Sequence, residues 1–113
     1  MSPEEKAKLA ALVHNVLSHP DSERFFSPAY RYKNECDLTD GGESGRPDRV
    51  VFAPDETWVV DFKTGKDIEG EYNAQVAKYC RAIAAMGYPR VSGWLVFLQP
   101  SVYVRRVPLG EDV

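Results

Sequence analysis

Asp48, Asp61 and Lys63 are the residues of this chain whose types and spacing can do chemistry together. Asp61 and Lys63 stand two residues apart in a β-rich run. Strand side chains alternate between faces, so both point one way while Phe62 points the other. Upstream, the polar turn Pro54-Asp55-Glu56 joins that run to a second one, which Asp48 opens; a hairpin this short brings Asp48 beside Asp61. Two carboxylates held together repel unless a proton or a cation lies between them. A hard divalent cation such as Mg²⁺ or Mn²⁺ prefers oxygen ligands and keeps several waters, so two carboxylates and a backbone carbonyl suffice to hold one. Such a cation polarises a phosphodiester oxygen and acidifies a bound water. Lys63 beside it would orient that water or neutralise charge developing on the phosphate. A lone Asp-x-Lys at a strand end is more often a solvated ion pair. Here the preceding aspartate, the hairpin and the apolar flank Trp58-Val59-Val60 favour charges that cap a buried strand in a cleft.

The elements that must position these groups are legible from periodicity. Residues 49–53 and 57–63 are the two hairpin strands, and Thr64-Gly65-Lys66-Asp67 ends the second. Residues 71–86 form the strongest helix: Tyr72, Val76, Tyr79, Ile83 and Met86 recur at helical spacing, and Gly87 stands at the C-terminal end. Residues 3–18 are a second helix, with Pro3 in its first turn, Glu4 and Glu5 favourable to its dipole, and a stripe of Leu9, Leu12, Val13, Val16 and Leu17. After a short turn through Phe25 and Phe26, residues 30–38 read as a strand and 39–45 as a loop. Residues 92–98 and 102–107 are two final strands around Gln99-Pro100-Ser101. The expected order is α–β–β–β–α–β–β, an α/β fold with a mixed sheet flanked by helices, in one domain spanning residues 1–113.

Composition narrows the classes. With 43% hydrophobic and 27% charged residues the chain is of ordinary globular composition, and it contains no apolar run of membrane-spanning length. The polar start Met1-Ser2-Pro3-Glu4-Glu5-Lys6 is not a signal peptide, so a cytoplasmic location and no membrane partner are the expectation. Cys36 and Cys80 are isolated, which excludes a zinc or iron–sulfur site of four soft ligands and favours buried free thiols over a disulfide. The net charge of −3 argues against a domain that grips nucleic acid by charge alone, but not against an enzyme acting on it.

The run GRPDRVVFAPDETWVVDFKTG, followed by Gln75 and Tyr79 in EYNAQVAKYCRAI, resembles the PD-(D/E)XK nuclease superfamily. Within it the likeness is to the RecB-like nuclease domains at the C-termini of bacterial UvrD/Rep-type helicase–nucleases. The resemblance runs from about Glu35 to Leu98 and rests on three linked motifs. It implies a restriction-endonuclease-like fold, metal coordination by Asp48, Asp61 and the Phe62 carbonyl, and a catalytic Lys63. It also implies that Gln75 and Tyr79, one helical turn apart, face DNA or buttress the site. Tyr79 belongs to the apolar stripe as well, so packing is its alternative role. Glu35 stands where the family often places a further acidic ligand; an exposed strand glutamate is the alternative there.

The expectation is therefore a Mg²⁺- or Mn²⁺-dependent DNA nuclease domain, with DNA and a helicase domain in the same chain or complex as partners in recombination or repair. A non-cleaving DNA-binding or scaffolding module of the same fold is the competing reading. The family's upstream histidine has no comfortable match in His14 or His19, which leads us to expect a C-terminal fragment of a larger protein.

Overall fold

The computed structural model describes residues 2–35, 38–40, 43–63, 71–98 and 102–109. Its elements are α1 (Pro3–Ser18), a 3-10 turn (Glu23–Phe26), β1 (Arg31–Asn34), β2 (Leu38–Asp40), β3 (Glu43–Gly45), β4 (Arg49–Phe52), β5 (Thr57–Lys63), α2 (Glu71–Ala85), β6 (Val91–Phe97) and β7 (Tyr103–Val107). Five strands form one sheet in the order β1-β4-β5-β6-β7. The β5–β6 pair is parallel and the others antiparallel. A parallel pair needs a crossover, and α2 is that crossover. The result is an α/β fold, a mixed sheet with helices on both faces.

The β-branched, apolar run of β5 is suited to a strand covered on both sides, and it lies at the centre of the sheet. Alternation then sorts its residues. Val59 joins Val50, Leu95, Val107 and the α2 residues Val76, Cys80 and Ile83. Trp58 and Val60 join Val51, Val96, Phe25 and the α1 residue Val16 on the other face. Each fully buried aliphatic side chain contributes roughly 1.5–3 kcal/mol. On the α1 face Phe25, fully buried, meets Trp58 edge-on at 5.6 Å. Arg49 ties this wedge to the sheet: its Nε donates to the Phe25 carbonyl at 2.8 Å and its Nη1 to Asn34 Oδ1 at 3.0 Å. The guanidinium also lies 3.9 Å from the Tyr32 ring centre, and burial lowers its pKa.

Three expectations need correction. The strand foreseen over residues 30–38 ends at Asn34, because Glu35 takes a left-handed backbone with φ +49° that no strand accommodates. The segment foreseen as a loop over 39–45 contributes β3 and most of β2, which pair antiparallel with Leu38 opposite Gly45. Among the described side chains of the α1 stripe, Val16 is buried and Leu12 partly so, while Val13 and Leu17 remain 48% and 47% exposed. That helix begins as foreseen, with the Ser2 hydroxyl accepting from the Glu5 N–H at 3.1 Å, but it rests mainly on the 3-10 turn and reaches the sheet through Val16. Cys36, Thr64-Gly65-Lys66-Asp67 and Gln99-Pro100-Ser101 lie outside the described residues. Among the described residues no helix is long and apolar enough to cross a membrane.

The α2 helix fulfils its pattern. Val76, Ala77, Tyr79, Cys80, Ala82 and Ile83 are buried, whereas Met86, beyond the last helical residue, is 52% exposed. Gly87 closes the helix with φ +98°, a conformation that favours glycine. Burial pushes the Cys80 thiol up to about 12, so it is a packing group rather than a nucleophile. The helix approaches β6 at Gly93, where a Cβ would stand 2.6 Å from Val76 Cγ1 and 2.9 Å from Cys80 Sγ. Gly93→Ala is therefore expected to destabilise the fold by about 1–3 kcal/mol through overpacking, measured as a lower urea midpoint with unchanged slope.

Candidate active site

Pro47 is buried and carries no N–H, and β4 begins only at Arg49. The backbone ladder with β5 accordingly stops at the pair Arg49 and Val60. One step further, side chains take over from backbone. The Asp48 N–H donates to Asp61 Oδ1 at 2.9 Å, and the Phe62 N–H donates to Asp48 Oδ2 at 2.8 Å. Both amide groups are thus satisfied where the two strands diverge, by charge-assisted bonds. The N–H and C=O of one strand residue emerge on the same edge, so the Phe62 carbonyl opens toward the gap that Asp48 occupies.

Burial is the main reason the Asp61 carboxyl, 3% exposed, is held above the ordinary carboxylate range. The neighbouring Asp48 charge adds to this, while the Asp48 N–H and the Lys63 ammonium oppose it. Lys63 Nζ lies 3.3 Å from Asp61 Oδ2 and donates to Gln75 Oε1 at 2.9 Å. It also sits 4.6 Å from the centre of the Tyr72 ring. When both carboxyls are ionised, one ammonium faces two carboxylates, leaving one negative charge beside the Phe62 carbonyl. This donor set is hard oxygen of the kind Mg²⁺ or Mn²⁺ takes, and a divalent cation would relieve the like-charge strain at Asp61; the residues present fit such an ion.

Asp48, Asp61, Lys63 and the Phe62 backbone are brought together as the sequence foresees, and Gln75 joins them by fixing Lys63. Two foreseen residues are not. Glu35 donates its backbone N–H to the Asp48 carbonyl at 2.9 Å, yet it is exposed. Among the described residues no three acidic, histidine or cysteine side chains group to hold a metal, so Glu35 is not assembled with the two aspartates. Tyr79 does not face a DNA surface. It is 7% exposed, with its ring against Gly45, and it packs α2 onto the small β2–β3 hairpin.

Tyr72 belongs to the apolar stripe by spacing alone; its position one turn before Gln75 is the sequence signal that points to its place under Lys63. Arg105, whose Nη2 donates to Asn73 Oδ1 at 2.9 Å, gave no such signal, since β7 is remote in sequence. Glycine relieves a left-handed backbone, so Glu35→Gly should keep or raise the melting temperature. It should also leave Mn²⁺ affinity within about twofold by calorimetry, whereas loss of a true ligand would cost much more.

No protein-family model matches the sequence, and no curated protein matches it either. The crystal structure of SSO0001 is similar in fold, with a TM-score of 0.53 at 15% identity, over 96% of this chain and 62% of that one. The chain thus spans less than two thirds of the length of that protein, and at this identity the likeness concerns the fold alone.

Proposed function

We propose that this chain is a Mg²⁺- or Mn²⁺-dependent DNA nuclease domain that hydrolyses phosphodiester bonds. The observation that carries the reading is the pair Asp48 and Asp61, the first bonded to the Phe62 N–H and the second to the Asp48 N–H, with Lys63 fixed beside them by Gln75. Bound there, a divalent cation would supply Lewis-acid activation of the phosphate and of a water. Asp48, Asp61 and the Phe62 carbonyl would hold the ion. The Lys63 ammonium, held by Asp61 and Gln75, would place its positive charge where negative charge develops on the phosphate. Because Lys63 is already oriented in the free protein, little reorganisation is required at the moment of reaction. The sequence resemblance adds the context in which such a domain works, attached to a helicase that acts on DNA in the cytoplasm during recombination or repair.

A non-cleaving module of the same fold is the second reading. It is favoured by the absence, among the described residues, of a third metal-holding side chain. Cleavage of labelled single-stranded and duplex DNA with Mn²⁺ present separates the two. The expected result is cleavage by the wild type, none by Asp61→Ala, and a rate lowered roughly 10²–10³-fold in Lys63→Ala, the usual cost of one well-placed electrostatic stabiliser. Circular dichroism should show both variants folded. Unchanged cleavage by Asp61→Ala would overturn the metal reading, and Mn²⁺ binding by a wild type that does not cleave would select the second one.

A further inference from the structure

The face of the sheet opposite the carboxylates is incompletely covered. Helix α1 reaches it through Val16, while Trp94, Leu98, Val102 and Val104 on that face are only partly buried. Two open pockets flank this stretch. One, of about 230 Å³, lies between α1 and the ends of β5 and β6. It is lined by apolar side chains, among them Leu12, Phe26, Phe62 and Leu98, and Val13 and Leu17 stay half exposed at its rim. The other, of about 350 Å³, lies where the 3-10 turn meets β6 and β7, lined by Pro20, Asp21, Arg24, Trp94 and Val104.

At the second pocket the charges are unbalanced. The Arg24 guanidinium lies 4.5 Å from the centre of the Trp94 ring, 4.8 Å from that of Trp58 and 5.0 Å from that of Phe25. Arg106, paired with Trp94 across the strands, places its guanidinium 5.6 Å from the same indole. Stacking occupies the flat side of a guanidinium and leaves its N–H edge to bind elsewhere. Among the described residues neither guanidinium makes a hydrogen bond or an ion pair, and both side chains are exposed. Two cationic forks thus stand beside one acid, Asp21, in a chain whose net charge is −3. Arginines held against tryptophan are typical of the anchoring centre of a protein interface, and the group that matches their edge is a planar carboxylate. A run of phosphates is the poorer match, because Asp21 stands in the same pocket and the adjoining one is apolar.

The spacing of the pockets sets the form of the partner. Trp94 and Leu98 are four residues apart along one extended run, about 13 Å at 3.3 Å per residue. On an α-helix rising 1.5 Å per residue that is roughly eight positions, which brings the two groups to the same side of the helix.

We infer that this face docks an acidic amphipathic helix of a partner protein. Its apolar side chains seat between α1 and Leu98, and a glutamate or aspartate about two turns away meets the edges of Arg24 and Arg106. A helix is the usual cover for a sheet face, as α2 is on the other side. The inference does not depend on the nuclease reading, whose residues lie across the sheet.

The test is fluorescence anisotropy with a labelled synthetic helix carrying a leucine pair and, two turns further along the same face, a glutamate pair. A second peptide has lysines in place of the glutamates. Wild type should bind the glutamate peptide about tenfold more tightly than the lysine peptide, and added salt should weaken it. Arg106→Glu should reverse that preference, which a loss of packing alone does not do. Val13→Asp should weaken the glutamate peptide about tenfold. Melting temperatures should stay close to wild type, because both side chains are exposed. A wild type that binds neither peptide, or both equally, would overturn the inference, as would undiminished binding in either variant. Binding of oligothymidylate that Arg106→Glu abolishes would overturn it in favour of a nucleic-acid site. A wild-type dimer in sedimentation that Val13→Asp dissolves would overturn it in favour of a second copy of this chain.

Discussion

The reciprocal clasp between Asp48 and Asp61 is the constraint on which the site depends. Ahead of β4, which begins only at Arg49, the central strand would carry an unpaired N–H at Phe62, and the chain entering β4 would carry another at Asp48. Each aspartate accepts the hydrogen bond of the partner segment, so the two carboxylates extend the sheet by one rung. An unmet buried amide costs on the order of 1–3 kcal/mol, so the clasp aligns the strands as well as the acids. The arrangement sets two negative charges side by side, one of them buried, and that is the tension a cation or a proton relieves.

Adjacent residues of β4 serve opposite faces. Asp48 turns to the α2 side, where the chemistry is proposed. Arg49 turns to the α1 side, where its guanidinium binds the Phe25 carbonyl, Asn34 and two aromatic rings. A buried cation, Arg49, and a buried carboxylate, Asp61, thus stand close in space, yet they face opposite sides of the sheet and each is satisfied by its own layer. Separating them leaves Asp61 with Lys63 as its partner instead of a guanidinium that would neutralise it more completely.

The parallel pair β5–β6 decides where the site opens. Asp61 and Lys63 are near the carboxyl end of β5, the end at which open α/β sheets collect their ligands. The crossover helix α2 starts above that end and delivers Tyr72, Asn73 and Gln75 to it, while the rest of the helix is spent on the core. Gln75 and Tyr79 illustrate the split: one turn apart on one helix, the first holds Lys63 at the surface and the second is packed on Gly45.

Local rules were enough for the centre of this protein. Alternation along β5 and a four-residue turn place Asp48, Asp61 and Lys63 on one face, and the spacing of Val76, Tyr79 and Ile83 with Gly87 behind them defines α2. These patterns act over about a dozen residues, so they are legible without the rest of the chain. The left-handed turn at Glu35, the hairpin drawn from a glycine-rich stretch, and the exposure of Val13 and Leu17 were not legible, because each depends on what another element covers. The two pockets of the α1 face are of the same kind. They gather residues of α1, the 3-10 turn and the strands, and only the packing of these elements brings them together. Sequence pattern thus determined which residues share a face, and tertiary structure decided which faces meet, since strand neighbours are chosen by long-range packing rather than by the local period of the chain.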